Sequence, residues 1–242
     1  MNAHIILVAA RLSEPNRPAY LHLRQAIAKS CAGATVHLEE TATVATRLQS
    51  LAHETDEPCI VQPLHLIAAG EFHQVVTIVK TVSAPVYLGM PLFASPEDYS
   101  RVAEILAPDV NNFNGEAVLL IGHGTVHPAW TCYPAFAHIL AQKSNKPLFW
   151  ATLGGYPSRH TIIERINNSG CRTLLVIPLL LGAGAHLRRD IDGNDEGSWR
   201  TSLAAYHIDT VLHNQGLALL PGIAQCFIAH IKEAKQKQPL HD

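Results

Sequence analysis

Short apolar runs alternate along the chain with longer stretches in which apolar residues recur at helical spacing. The short runs predict β-strands, and the longer stretches predict amphipathic α-helices that each bury one face. In the first part of the chain, strands are predicted at residues 4–10, 34–38, 59–67 and 86–89, and helices at 19–32, 43–52, 71–82 and 95–106. Ser95 is the expected N-cap of the last of these helices, because Pro96 and two acidic residues follow it.

The same alternation begins again after a polar link at residues 109–115. Strands are predicted at 117–121, 147–153, 173–181 and 208–212, helices at 129–143, 158–167 and 217–235, and a helical or irregular stretch at 199–205. Strands that alternate with helices are typical of α/β proteins with parallel sheets. The pattern therefore predicts two doubly wound α/β halves, an N-terminal half at residues 1–112 and a C-terminal half at residues 113–242.

Two segments that begin at Pro63 and Pro178 match in detail. The segment Pro63-Leu-His-Leu-Ile-Ala-Ala-Gly-Glu-Phe resembles Pro178-Leu-Leu-Leu-Gly-Ala-Gly-Ala-His-Leu at an offset of 115 residues, 178 minus 63. An offset of this length is too long for a solenoid repeat and suits one α/β half that occurs twice. The two halves are therefore interpreted as products of an internal duplication.

In two places a histidine follows glycines at the end of an apolar strand. The run Leu119-Leu-Ile-Gly-His-Gly places His123 directly after one strand, and Leu179-Leu-Leu-Gly-Ala-Gly-Ala-His places His186 shortly after another. In open α/β sheets, ligands bind beyond the carboxyl ends of the strands, and two neutral imidazoles can share one divalent ion. His123 and His186 are therefore candidate metal ligands, although a single histidine after a glycine is more often an ordinary loop residue.

The first half offers different side chains at the equivalent positions. Counting from the two prolines places Glu71 opposite His186, and nearly the same offset places residues 9–11, which end in Arg11, opposite the segment around His123. We therefore expect a functional cleft between the halves that is lined unequally by them.

Composition and charge narrow the class of protein. The 242 residues are 48% hydrophobic and 16% charged, and 18 basic against 20 acidic residues give a formal charge of -2, which offers no electrostatic footprint for nucleic acid. The chain shows no signal-peptide pattern and no window as long as a membrane span, which predicts a cytoplasmic protein. Five scattered cysteines fit reduced thiols better than a disulfide framework.

Several motifs, taken in order, resemble the class II tetrapyrrole chelatases, and among them the anaerobic sirohydrochlorin cobaltochelatases of the CbiK type. They are Gly122-His-Gly-Thr-Val-His-Pro-Ala129 followed by Tyr133, Tyr156-Pro157, Pro178-Leu-Leu-Leu-Gly-Ala-Gly-Ala-His186 with Asp190, and Gly197-Ser-Trp199. Leu64-His-Leu-Ile-Ala-Ala-Gly-Glu-Phe72 is similar to the signature of the family's first half. The resemblance covers most of the chain and is best from Val118 onward.

The resemblance implies two flavodoxin-like halves with a carboxylated tetrapyrrole between them. It implies that His123 and His186 bind the incoming metal, and that Co²⁺ is the substrate metal inserted into sirohydrochlorin in anaerobic cobalamin biosynthesis, with Fe²⁺ or Ni²⁺ as alternatives and no organic cofactor. It also suggests a homo-oligomer. The chain departs from the family where a metal-binding glutamate is usual, because Gly154 stands there, and residues 10–13, Ala-Arg-Leu-Ser, replace a Gly-Thr-Ser-like turn.

Other side chains receive provisional roles from this comparison. Glu71 is the acid expected to replace the missing glutamate as a ligand or proton acceptor, and the alternative is an acid that only complements a helix dipole. Three arginines, Arg11, Arg188 and Arg189, are candidates for the ring's carboxylates, although neighbouring arginines often form a solvated face. His127 and Tyr133 follow the Gly-His-Gly loop and either face the ring or support the loop. His65 and Trp199 are interpreted as core residues, His65 with its hydrogen bonds satisfied.

Three other functions stay open from the sequence. A tetrapyrrole carrier of the same fold without metal insertion fits the missing glutamate. A zinc hydrolase that uses His123, His186 and an acid lacks a supporting motif such as His-Glu-x-x-His. A phosphate-binding loop at residues 122–125 lacks the lysine and the glycine pattern of known phosphate loops.

Overall fold

The structure is a computed structural model that describes residues 3–182, 184 and 187–240. The chain forms two compact units: a first unit of Met1–Asp98 with Pro221–Asp242, and a second unit of Tyr99–Leu220. The predicted halves meet at residues 112 and 113, whereas in the structure residues 99–112 belong to the second unit and the last segment of the chain returns to the first. The strands are nevertheless divided between the units as the sequence predicts.

Strands and helices alternate through the described part of the chain. The strands are β1 (Ala3–Ala9), β2 (Ala34–Glu40), β3 (Cys59–Pro63), β4 (Val86–Leu88), β5 (Ala117–Gly122), β6 (Leu148–Thr152), β7 (Thr173–Leu179) and β8 (Asp209–Leu212). The α-helices are α1 (Arg17–Ser30), α2 (Val44–Glu54), α3 (Gly70–Val79), α4 (Pro96–Asn112), α5 (Cys132–Ala141), α6 (Arg159–Asn168), α7 (Trp199–Ala204) and α8 (Ile223–Ala234). Short 3₁₀ turns lie at Pro128–Thr131 and Leu217–Leu219, and a π-helical turn at Leu187–Ile191. No described helix has both the length and the apolar character needed to cross a membrane.

Each unit contains one four-stranded sheet in which every neighbouring pair is parallel. The strand order is β2-β1-β3-β4 in the first unit and β6-β5-β7-β8 in the second. Parallel strands need helical crossovers, which cover both faces of the sheet and bury the central strands. All six residues of β5 are buried accordingly. The predicted α/β class and the two doubly wound, flavodoxin-like halves are confirmed.

The register of the two sheets supports the internal duplication. Val8 on β1 pairs with Pro63, and Ile121 on β5 pairs with Pro178. Two residues further along these central strands, Ala10 corresponds to His123. The equivalence expected from the proline offset is therefore present in the strand pairing.

The three largest differences from the predicted element boundaries have physical reasons. The strand β3 ends at Pro63 rather than at residue 67, because the next carbonyls, of His65 and Leu66, accept hydrogen bonds from the loop at residues 92–93 rather than from a strand. The predicted helix at 217–235 is interrupted by Pro221 and by Gly222, which has a φ of 100°. Conversely, α4 continues to Asn112 with Pro108 inside it, because its buried apolar side chains offset the hydrogen bond that proline removes.

The start of α4 is held by a reciprocal cap and by the last helix. Ser95 Oγ accepts from Asp98 N–H (3.2 Å), and Asp98 Oδ2 accepts from Ser95 N–H (2.8 Å), which confirms Ser95 as the capping residue. His230 on α8 donates through Nδ1–H to the Met90 carbonyl (3.1 Å), and its Nε2 lies 3.0 Å from Asp98 Oδ1. Since His230 and Asp98 are both buried, α8 is fixed to the first unit by polar contacts as well as by packing.

His65 is a core residue, as predicted, but its hydrogen bonds are not satisfied. The side chain is 6% exposed, and neither ring nitrogen has a hydrogen-bond partner among the described residues. Burial lowers the pKa of His65 to about 4, because a charged imidazolium is poorly solvated there. The expectation of a satisfied imidazole was wrong, because the backbone carbonyl of His65 bonds to the loop while its ring nitrogens have no hydrogen-bond partner in the described part of the chain.

The His65→Leu variant tests the cost of this burial. The pKa of His65 is about 4 in the folded protein and about 6.5 in an unfolded chain. The folded state therefore binds this proton less readily than the unfolded chain, and the unfolding free energy falls as the pH is lowered. The contribution of neutral His65 is fully present above about pH 6.5 and is lost as the pH falls towards 4, by about 2 kcal/mol at pH 5. Urea unfolding at pH 7 and pH 5 should show a larger loss of unfolding free energy in the wild type than in the variant. Equal losses would contradict the assignment.

Candidate active site

Two glycines shape the loop that carries His123 at the carboxyl end of β5. A Cβ added to Gly122 would lie 2.1 Å from Cε1 of Tyr133, so that only glycine leaves room for the tyrosine ring. Gly124 has a φ of 89°, and a Cβ there would lie 2.0 Å from the Gly154 carbonyl oxygen. The backbones of the loop after β5 and the loop after β6 are therefore in direct contact. His123, between Gly122 and Gly124, is exposed.

Tyr133 and His127 form hydrogen bonds that support this loop. Tyr133, on α5, is 2% exposed, and its hydroxyl accepts a hydrogen bond from Gly124 N–H (3.1 Å). His127 precedes the 3₁₀ turn, and its Nδ1 accepts from Ala129 N–H (3.1 Å). Of the two roles that the sequence left open for these residues, the observed contacts are those of loop support. Whether either also meets a ring stays a prediction.

His123 lines a cavity of about 440 Å³ in the second unit. The other lining residues are Gly124, Thr125, Val126, Leu153, Gly154, Gly155, Arg159 and Asp190. His123 Nδ1–H donates to the Gly124 carbonyl at 3.2 Å, which in the neutral ring leaves the lone pair on Nε2. That nitrogen has the chemical form that binds a metal ion or accepts a proton.

The carboxylate that lines this cavity is Asp190. It lies in the π-helical turn, and its Oδ1 accepts from Arg189 Nε–H at 2.8 Å. This contact also raises the pKa of Arg189. Arg189 is therefore committed to Asp190, and Arg188 is exposed beside it. In the sequence, Asp190 is only one of the landmarks of the resemblance, although its position four residues after His186 could have indicated a role in the site.

The predicted partner of His123 lies outside the described residues. His186 is not among them, so the proposed pair of imidazoles stays a prediction. Within residues 3–182, 184 and 187–240, no three histidine, cysteine, aspartate or glutamate side chains come together as a metal site. Of the two histidines predicted to bind the metal, His123 is therefore the one that the structure describes.

Glu71 and Arg11 lie in the first unit. Glu71 is exposed in the first turn of α3, where an acid complements the helix dipole. Burial raises the pKa of the Tyr20 hydroxyl to about 12, with a further contribution from the Glu71 carboxylate. Arg11 is exposed two residues beyond the end of β1. The roles proposed for Glu71 and Arg11 stay predictions.

One residue of the cavity was missed entirely by the sequence analysis. Arg159 is the first residue of α6, directly after its N-cap Ser158, and it lines the His123 cavity. The sequence did place a helix start at Ser158, one residue after the Tyr156-Pro157 pair. Only the structure shows that the charged side chain at the start of this helix lines the cavity.

Solved structures that resemble this fold include chelatases. SirB from Bacillus subtilis, solved with Fe³⁺, is 16% identical to this chain and superposes with a TM-score of 0.72 over 99% of both chains, which supports the chelatase-like fold. A family model described as cobalt chelatase (CbiK) matches residues 28–236, and the chain therefore belongs to that family.

Two relatives of this chain are named as sirohydrochlorin cobaltochelatases. A sirohydrochlorin cobaltochelatase of Salmonella typhimurium is 27% identical over 191 residues, 77% of this chain and 72% of that protein. The sirohydrochlorin cobaltochelatase CbiKC of Nitratidesulfovibrio vulgaris is 28% identical over 203 residues, 81% of this chain and 72% of that protein. The resemblance drawn from the motifs is confirmed.

A Gly154→Glu variant should tighten Co²⁺ binding to the free protein. Gly154 lines the His123 cavity, and a Cβ at this position meets no atom within 4 Å, so the side chain fits. An added carboxylate beside an imidazole should raise the affinity roughly tenfold. Calorimetric titration with Co²⁺ measures the change. Gly154→Gln is the matched control with the same shape and no charge, and equal tightening by both variants would refute the ligand role.

Proposed function

We propose that this protein is a sirohydrochlorin cobaltochelatase, which inserts Co²⁺ into sirohydrochlorin. The observation that carries the proposal is the match to the cobalt chelatase family over residues 28–236, which includes the complete loop around His123. In the reaction, two pyrrole N–H groups lose their protons and the ring nitrogens bind the dication, so that one metal ion enters and two protons leave. No electron transfer is involved, and no organic cofactor is required.

His123 is the residue that we assign to metal delivery and proton removal. Its Nδ1–H donates to the Gly124 carbonyl, which orients the ring and leaves the basic lone pair on Nε2 of the neutral imidazole. An imidazole binds a first-row dication with enough affinity to displace part of its bound water. Because the neutral imidazole carries no charge, it does not retain the ion in competition with the ring nitrogens. His186 is the proposed second ligand. Asp190 adds negative charge to the cavity, reduced by its contact with Arg189.

The replacement of the family's glutamate by Gly154 shapes the expected behaviour. A site with fewer carboxylates binds the free ion more weakly, and it also releases the ion to the ring more easily. Glu71 is the proposed additional acid, and Arg11, Arg188 and Arg189 are the proposed contacts for the ring's carboxylates. We further propose that Co²⁺ is preferred over Fe²⁺ and Ni²⁺, and that the protein acts as a cytoplasmic homo-oligomer in anaerobic cobalamin biosynthesis.

The test is metal insertion followed by absorbance under anaerobic conditions. Purified protein is mixed with sirohydrochlorin and with Co²⁺, Fe²⁺ or Ni²⁺ in turn, and each rate is compared with a reaction that contains no enzyme. Catalysed insertion with Co²⁺ is expected. A ring that binds without catalysed insertion of any of the three metals would instead identify a tetrapyrrole carrier of the same fold.

His123→Ala should abolish insertion and leave ring binding within about twofold. The physical reason is that the variant removes the nitrogen that binds metal and accepts a proton, whereas the ring is held mainly by apolar and carboxylate contacts. Steady-state insertion and spectroscopic titration of the ring give the two readouts. His138→Ala is the control, because His138 is exposed on α5 and bonds to Gln142. Full activity of His123→Ala would remove His123 from the mechanism.

A further inference from the structure

A second cavity, of about 470 Å³, lies beside the His123 cavity in the second unit. The two cavities share the wall formed by Leu153, Gly154, Gly155 and Arg159. The other lining residues of the second cavity are Thr152, Pro157, His160, Ile163, Ser202, Ala205 and Tyr206. A ligand held at His123 therefore lies next to this second cavity.

Arg159 is fixed in this wall by contacts that leave its charge uncompensated. Its Nη1 donates to the Gly197 carbonyl and to Ser202 Oγ (3.4 Å). Its guanidinium carbon lies 5.4 Å from the ring centroid of Trp199, which is fully buried. All three partners are neutral. These contacts hold the guanidinium in place, and its remaining N–H groups keep their capacity to bind an anion.

The surroundings of Arg159 favour an anion further. No aspartate or glutamate lines the second cavity, and within the described residues no carboxylate forms an ion pair with Arg159. Asp190, in the adjoining cavity, is bound to Arg189. His160 lines the cavity, and its Nε2 lies 3.1 Å from the Glu164 carboxylate. Arg159 is thus a fixed cation in a cavity whose described lining residues include no acidic side chain.

We propose that Arg159 binds one carboxylate arm of the tetrapyrrole in this second cavity while the ring lies against His123. The inference rests on the proposed function and adds a specific anchor to it. A guanidinium group can bind a carboxylate through two parallel N–H···O hydrogen bonds. Arg159 is better prepared for this role than exposed Arg188, because its neighbours already restrict the side chain and less conformational entropy is lost on binding.

An anchor of this kind affects substrate binding and orientation more than the chemical step. Removing it should raise the KM for the ring and its dissociation constant together, and should leave kcat and the affinity for free Co²⁺ nearly unchanged. A merely structural role of Arg159 would instead lower kcat or the stability of the fold. The two roles are therefore separable by measurement.

The experiment compares Arg159→Gln and Arg159→Lys with a control, Arg165→Gln. Arg165 is exposed in the last turn of the same helix, away from both cavities. We expect Arg159→Gln to raise the KM and the dissociation constant for sirohydrochlorin about tenfold, with kcat within twofold. Arg159→Lys keeps the positive charge but cannot form the bidentate hydrogen bonds of a guanidinium, so its KM and dissociation constant should lie between those of Arg159→Gln and the wild type. Arg165→Gln should match the wild type, and urea unfolding should show that all variants fold.

Each other outcome overturns the inference in a recognisable way. An unchanged KM in Arg159→Gln, with catalysed insertion in the wild type, removes the anchor and leaves the proposed function intact. The same holds if kcat alone falls, or if Arg165→Gln loses binding to the same extent. A wild-type protein that neither binds sirohydrochlorin nor inserts Co²⁺ overturns both the anchor and the function.

Discussion

The parallel pairing of all strands around β1 and β5 is the constraint on which the rest of the structure depends. Parallel strands end at the same edge of the sheet, so the loops that follow β5, β6 and β7 lie side by side. The central strands β1, β3, β5 and β7 are almost completely buried and admit almost no charge, whereas the edge strands β2 and β8 are partly exposed. Polar chemistry is therefore confined to the loops at the carboxyl edge, where His123, Gly154 and Asp190 are found.

The loops after β5 and β6 form a site because their backbones lie close together. Because Gly122 and Gly124 lack side chains, the Tyr133 ring and the carbonyl of Gly154 can lie against the loop of His123. The segment after β6 then becomes a thin partition with one cavity on each side. Such a partition suits a flat substrate with flexible charged arms, since the ring and an arm can occupy different spaces while the backbone between them stays fixed.

The sequence predicted those features that depend on neighbouring residues. Apolar runs located the strands, the matched prolines predicted which positions of the two halves are equivalent, and the glycines beside His123 indicated a histidine exposed at the end of a strand. Features that depend on distant residues were not accessible. Arg159 gains its position from Gly197, 38 residues away, and His230 meets Asp98 across 132 residues. The unsatisfied ring of His65 was hidden for the same reason, because an apolar segment does not reveal which polar groups will surround it.

The division of the chain has a consequence for the conformational entropy of folding. The second unit is one continuous segment, Tyr99–Leu220, so its contacts form within that segment. The first unit is interrupted, because α8 packs against α1, β3 and β4 although the second unit separates it from them in the sequence. The contact between His230 and Asp98 therefore closes a loop of 132 residues. Closing a flexible loop costs more entropy the longer it is, so folding of the intervening second unit lowers the cost of docking α8.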